Sequence, residues 1–130
     1  LNNHWYSDGK PFIDDLFKDL VGSIQLEGLG SVNSSYILGH THGLEQQAHH
    51  DACDFTMIYY PKLDWQSDWG GGTLVGDTLV SYVGDRLVIF SCDQIHQGQP
   101  ISKYCQELRP IVVFQCNAKN AMIERLSWQR

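Results

Sequence analysis

The sequence predicts a mainly β fold with a single helix at the N-terminal end, on three observations. Short segments rich in β-branched and aromatic residues recur from Val32 to Cys116. They are separated by clusters of Gly, Asp, Pro and Ser, which interrupt strands rather than extend them. Only the first segment carries apolar residues at the helical period.

In that segment Ile13, Leu16, Phe17, Leu20, Val21 and Ile24 fall on one face at a spacing of 3.6 residues. Asp8 is a candidate N-cap, Pro11 suits the first turn, and Gly28 and Gly30 are expected to end the helix. Strands are expected near Val32–Leu38, Phe55–Tyr60, Thr73–Val75, Thr78–Val83, Arg86–Phe90 and Pro110–Cys116. Many short strands with few helices imply two facing sheets, and no internal repeat, low-complexity tract or linker divides the chain. Residues 1–130 are therefore expected to form one domain.

Composition excludes several function classes. A hydrophobic share of 42% rules out a disordered chain. The net charge of −6 leaves no basic stripe to displace counterions from phosphates, so nucleic acid is not an expected partner, whereas a basic polypeptide remains compatible. No apolar run reaches the ~18–20 residues of a membrane span. Cys53, Cys92, Cys105 and Cys116 show no paired Cys-x-x-Cys spacing, and reduced thiols in a cytoplasmic, reducing compartment are the expectation. A zinc site built from Cys92, His96, Cys105 and Cys116 is the weaker alternative, because closed zinc sites use short paired spacings.

The chemistry-bearing residues are His49, Asp51, His96 and Arg109. In an extended segment side chains at i and i+2 share a face, so His49 and Asp51 project together and His50 projects away. Strand pairing that brings His96 beside them completes two imidazoles and one carboxylate, a set that leaves about three positions free on six-coordinate Fe(II). A second i, i+2 pair, His40 and His42, lies between glycines with no carboxylate at the matching spacing, and is expected to be a solvated loop near the site entrance. Trp65 and Trp69 are expected to pack or line the rim, since indole offers a donor and a surface but no proton transfer. Gly70–Gly72 are expected to allow a close turn or bulge.

The order of motifs carries more than any one of them. His49-His50-Asp51 is followed by the aromatic strand Phe55–Tyr60, Trp65, the run Trp69-Gly70-Gly71-Gly72-Thr73-Leu74, then Gly84-Asp85-Arg86-Leu87-Val88-Ile89-Phe90, His96 and Arg109. From about Tyr36 to Phe114 this resembles the Fe(II)- and 2-oxoglutarate-dependent oxygenases, in particular their prolyl 4-hydroxylase-like branch. The resemblance implies a distorted double-stranded β-helix, or jelly roll, with the helix buttressing one sheet and further helical sequence in front of the core. It also implies an activity: oxidative decarboxylation of 2-oxoglutarate to succinate and CO2 with O2, coupled to hydroxylation of an unactivated C–H bond, with ascorbate as the reductant.

Under that resemblance His49, Asp51 and His96 are the expected metal ligands. Arg109 follows His96 by thirteen positions and would clamp the distal carboxylate of 2-oxoglutarate through its planar fork. The alternative is a rim arginine paired with Glu107 or Asp93. The family carries Lys or Arg at this point, and Arg is the choice of its oxygen-sensor and bacterial members. Tyr60 corresponds to a family tyrosine that donates its hydroxyl to the same carboxylate, and alternation places it on the face of Ile58. Tyr36 is expected to line the pocket.

A prolyl residue in a peptide or protein is the expected substrate. A free amino acid or other small molecule is the alternative, since the loop Lys62–Trp69 carries no readable code and fold does not fix function. A non-catalytic jelly-roll metal- or ligand-binding module would be marked by a lost ligand or anchor. A cupin-like enzyme would use more histidines and would not need Arg109.

Overall fold

The computed structural model describes residues 3–6, 11–24, 29–44, 46–118 and 128–129. In chain order the elements are β1 (Asn3–Tyr6), α1 (Pro11–Ile24), β2 (Leu29–His40), β3 (Phe55–Tyr60), a 3-10 turn at Ser67–Trp69, β4 (Thr73–Val75), β5 (Thr78–Val80), β6 (Arg86–Ser91), β7 (His96–Gly98), β8 (Arg109–Ala118) and β9 (Trp128–Gln129). They form a six-stranded sheet in the order β1-β2-β8-β3-β6-β9 and a three-stranded sheet in the order β5-β4-β7. All pairings are antiparallel. The fold is mainly β, a jelly roll with one N-terminal helix.

The large sheet is covered on both faces, which explains why its central strands read as near-continuous apolar runs. On one face Phe55 and Met57 of β3, Leu87 and Ile89 of β6, and Val112, Phe114 and Cys116 of β8 pack with Ile13 and Leu20 of α1. Leu16, Phe17 and Val21 extend the helical stripe against this cluster, and the Phe17 and Phe114 rings lie 5.1 Å apart. On the other face Ile58, Tyr60, Val88, Phe90, Ile111 and Val113 meet Val75, Val80 and Tyr82 of the small-sheet side.

Several boundaries differ from the sequence reading. The helix ends at Ile24, before either glycine expected to stop it; Gly30 lies in β2, while Asp8 and Gly28 fall outside the described residues. The β5 strand stops at Val80 rather than Val83. The strands β1, β7 and β9 lie outside the sequence expectation: each is four residues or fewer and is defined by pairing with a neighbouring strand.

The cysteine expectation is corrected. Cys53 and Cys92 form a disulfide across 39 residues, and only Cys105 and Cys116 are free, both buried. Spacing cannot reveal this pair, because its closure depends on the β3–β6 register that sets Phe55 opposite Ser91. The alternative zinc set is not assembled either. Among the described residues, the groups whose donor atoms converge are His49–Asp51–His96 and Asp51–Cys53–Cys92. No helix among the described residues is long and apolar enough to cross a membrane.

Candidate active site

The site lies between the two sheets, where the segment before β3 meets the start of β7. His49 and His96 exchange backbone hydrogen bonds, His49 N to His96 O at 3.0 Å and His96 N to His49 O at 2.8 Å. This isolated bridge brings residues far apart in sequence into one rung. Asp51 N donates to Cys92 O at 3.1 Å, fixing the carboxylate-bearing residue to the turn that leads to His96.

Three donors converge from this frame. Nε2 of His49 lies 3.5 Å from Asp51 Oδ1, and Nε2 of His96 lies 3.4 Å from Asp51 Oδ2. The two imidazole centroids are 4.3 Å apart. Nδ1 of His49 donates to Gln47 O at 3.0 Å and Nδ1 of His96 to Gln94 O at 3.1 Å. A carbonyl only accepts, so each ring carries its proton on Nδ1 and turns the Nε2 lone pair toward Asp51. Burial holds the His96 pKa below its ordinary value, with the Gln94 hydrogen bond and Asp51 acting against it, which favours the neutral ring a metal needs. Two lone pairs and a carboxylate facing one point repel one another unless a cation sits among them. The trio can hold a metal ion, and its donor chemistry suits Fe(II).

Sequence reasoning missed Thr56. Its hydroxyl donates to Asp51 Oδ2 at 2.8 Å and orients the carboxylate. The signal was present in the alternation of β3, since Thr56 shares the inward face with Ile58 and Tyr60.

The second half of the site is built around Arg109, the first residue of β8, which is 1% exposed. Its Nε donates to Gly71 O, its Nη2 contacts Gly72 O at 3.4 Å and Thr73 Oγ1 at 3.5 Å, and its Nη1 lies 3.3 Å from His40 Nδ1. A guanidinium only donates, so His40 Nδ1 is the acceptor. The glycines make this approach feasible. Gly71 has φ of 77° and a side chain there would press on Arg109 and Trp65, while one at Gly72 would strike Val80 O.

The rim-arginine alternative is excluded by this burial, and Glu107 pairs instead with Lys62 at 3.0 Å. Among the described residues no carboxylate forms an ion pair with Arg109. Burial lowers the Arg109 pKa, an effect Tyr60 and Tyr82 oppose. A guanidinium this deep without a counter-charge favours an anion beside it.

Tyr60 is fully buried, with its hydroxyl 2.6 Å from Thr73 Oγ1 and its ring stacked on Tyr82 at 4.3 Å. It stands at the Arg109 end of the site, beside both Thr73 and the guanidinium. Tyr36 lines the cavity itself. His40 departs from the solvated loop expected of it: it ends β2 directly opposite Arg109 and is 2% exposed, whereas His42 is exposed. Alternation through Tyr36, Leu38 and His40 was the overlooked signal.

One small cavity, partly open to solvent, joins the two halves. Its wall includes His49, Asp51 and His96 at one end, Arg109 and Thr73 at the other, and Ile58, Ile111 and Val113 between them. An apolar pocket with a few converging polar groups is the usual form of a small-ligand site. Trp65 stands outside it as a packing residue, donating Nε1–H to Gly70 O at 2.9 Å and meeting Trp69 edge-on at 5.0 Å.

Comparison with solved structures gives the architecture its place. A Pseudomonas putida prolyl-4-hydroxylase superposes with a TM-score of 0.69 at 16% identity, over 92% of this chain and 73% of that one. A Trichoplax adhaerens prolyl hydroxylase, solved with a peptide of the hypoxia inducible factor oxygen degradation domain, gives 0.68 at 14% identity, over 92% of this chain and 64% of that one. The chain has the fold of the prolyl 4-hydroxylases. Prolyl 4-hydroxylases from Phytophthora capsici match with a TM-score of 0.61 at 18% identity, over 83% of this chain and 43% of that one. The chain thus spans less than two thirds of two of these prolyl hydroxylases. No family model and no curated protein matches its sequence.

Proposed function

We propose that this chain is an Fe(II)- and 2-oxoglutarate-dependent dioxygenase that hydroxylates an unactivated C–H bond, with a prolyl residue of a peptide or protein as substrate. The observation that carries this reading is the pairing of two sites in one cavity: a converging His49–Asp51–His96 donor set and a buried Arg109 without a carboxylate partner among the described residues. A metal alone does not call for the second, and an anion-binding pocket alone does not call for the first. The prolyl preference is supported by the fold likeness, one of whose members was solved with a peptide.

When bound, iron with 2-oxoglutarate supplies the oxidation of the C–H bond by O2, with ascorbate restoring the reduced metal. The chain's residues bind and orient. His49, Asp51 and His96 would hold the metal through two imidazole nitrogens and a carboxylate oxygen. Thr56 fixes the Asp51 carboxylate. Arg109 would pair with the distal carboxylate of 2-oxoglutarate, and Thr73, hydrogen-bonded to Tyr60, would offer a hydroxyl to the same end. Tyr36, Ile58, Ile111 and Val113 keep the intervening cavity apolar, which strengthens these charge pairings.

The test is succinate formation from 2-oxoglutarate under air with Fe(II) and ascorbate, comparing the unaltered chain with His96→Ala. Turnover that disappears in the variant is the expected result. Failure of the unaltered chain to bind either iron or 2-oxoglutarate would overturn the proposal in favour of a non-catalytic module.

A further inference from the structure

The disulfide lies against the candidate metal site. Cys53 follows Asp51 by two residues and Cys92 precedes His96 by four, so the bridge joins the two chain segments that bring the proposed ligands together. Their backbones are also held independently of sulfur: Cys92 N donates to Asp54 O and Asp51 N to Cys92 O, both at 3.1 Å. Opening the S–S bond therefore leaves both sulfurs beside Asp51. Donor atoms of Asp51, Cys53 and Cys92 lie within 4.8 Å of one another. The Thr56 hydroxyl touches all three, at 2.8 Å from Asp51 Oδ2, 3.3 Å from Cys92 Sγ and 3.7 Å from Cys53 Sγ.

We propose that reduction of Cys53–Cys92 uncovers a second cation site, Asp51–Cys53–Cys92, which takes a thiophilic divalent metal of the Zn²⁺ class and competes with the histidine pair for Asp51. In the reductive step a dithiol gives up two electrons and two protons and closes to its own disulfide, while Cys53 and Cys92 become thiols. The incoming cation then displaces the two thiol protons to buffer. Two sulfurs, one carboxylate oxygen and a water complete the four-coordinate shell that zinc favours. Sulfur selects against the harder Fe(II), whereas the histidine trio contains none. Oxidation thus hides the soft donors and leaves Asp51 to the histidines. The proposal depends on the iron-site reading only through the sharing of Asp51.

The experiment uses Co²⁺ as a coloured stand-in for Zn²⁺, added without air to the full chain before and after dithiol reduction and removal of the dithiol. Sulfur-to-cobalt charge-transfer absorption is expected in the reduced chain alone, at one Co²⁺ per chain, and Zn²⁺ should abolish it. It should vanish in Cys53→Ala/Cys92→Ala and persist in His96→Ala, which separates this site from the histidine trio. Asp51→Asn should weaken the Co²⁺ titration at least tenfold. Cys105 and Cys116 are poor sources of the signal, being buried, with burial raising the Cys116 thiol to about 12. Absence of the band in the reduced chain, or its survival in the double variant, overturns the site. Binding of a second Co²⁺ to the reduced chain with the band intact overturns the competition. The oxidised–reduced comparison uses one unaltered chain, so it does not depend on any variant folding.

Discussion

The two faces of the large sheet are made by the same strands and serve opposite ends. Toward α1, β3 and β8 present Phe55, Met57, Val112, Phe114 and Cys116, and burial there is apolar packing. Toward the small sheet they present Thr56, Ile58, Tyr60, Arg109, Ile111 and Val113, so burial encloses hydroxyls and a cation among aliphatic side chains. The difference teaches that a strand can divide stability from ligand binding by alternation alone: odd positions of β3 support the fold and even positions shape the site.

Substitutions on the two faces should therefore fail differently. Arg109→Met is expected to have the largest effect on binding: the rise in Tm that 2-oxoglutarate gives the metal-loaded chain should be lost. The ligand-free protein should lose less stability than it does with Phe114→Ala, since removing a buried, uncompensated cation also removes a desolvation cost. Thermal denaturation with and without 2-oxoglutarate checks both. Phe114→Ala should cost about 3–5 kcal/mol of stability by leaving a cavity under α1, read by denaturant titration, with metal affinity retained while the chain stays folded. A Phe114 variant that lost metal binding while still folded would break the division.

Smaller effects sharpen it. Thr56→Val removes the hydrogen bond to Asp51 from a nearly isosteric side chain, and metal affinity should fall about 10–100-fold while the unfolding midpoint moves little. Metal titration by calorimetry distinguishes this from general loosening. Tyr60→Phe should be milder still, about 1 kcal/mol in 2-oxoglutarate affinity, because Thr73 keeps its contact with Arg109.

Those same faces explain how much could be read in advance. The β3 and β4 strands were legible to the residue because β-branched and aromatic runs end at Pro or Gly. The histidine–carboxylate set was legible because His49 and Asp51 share a face and the motif order is specific; their convergence with His96 and the placing of Arg109 are geometric facts of the fold. What stayed hidden depends on partners distant in sequence. The β7 strand has no pattern of its own in His96-Gln97-Gly98 and exists through pairing with β4. His40 looked like loop because glycines flank it, and only its register opposite Arg109 puts it inside. The Cys53–Cys92 bridge was masked by the same dependence on register.

The rung between His49 and His96 has an evolutionary consequence. Because two reciprocal backbone bonds set the spacing of these imidazoles, side-chain identity elsewhere in the intervening chain is largely released from that task. The exposed positions Leu63, Asp64 and Gln66 to Asp68 around the buried Trp65, and the turn at Gly76 and Asp77, can change composition without pulling the imidazoles apart. A lineage can thus experiment with what approaches the cavity mouth while inheriting the geometry at its floor unchanged.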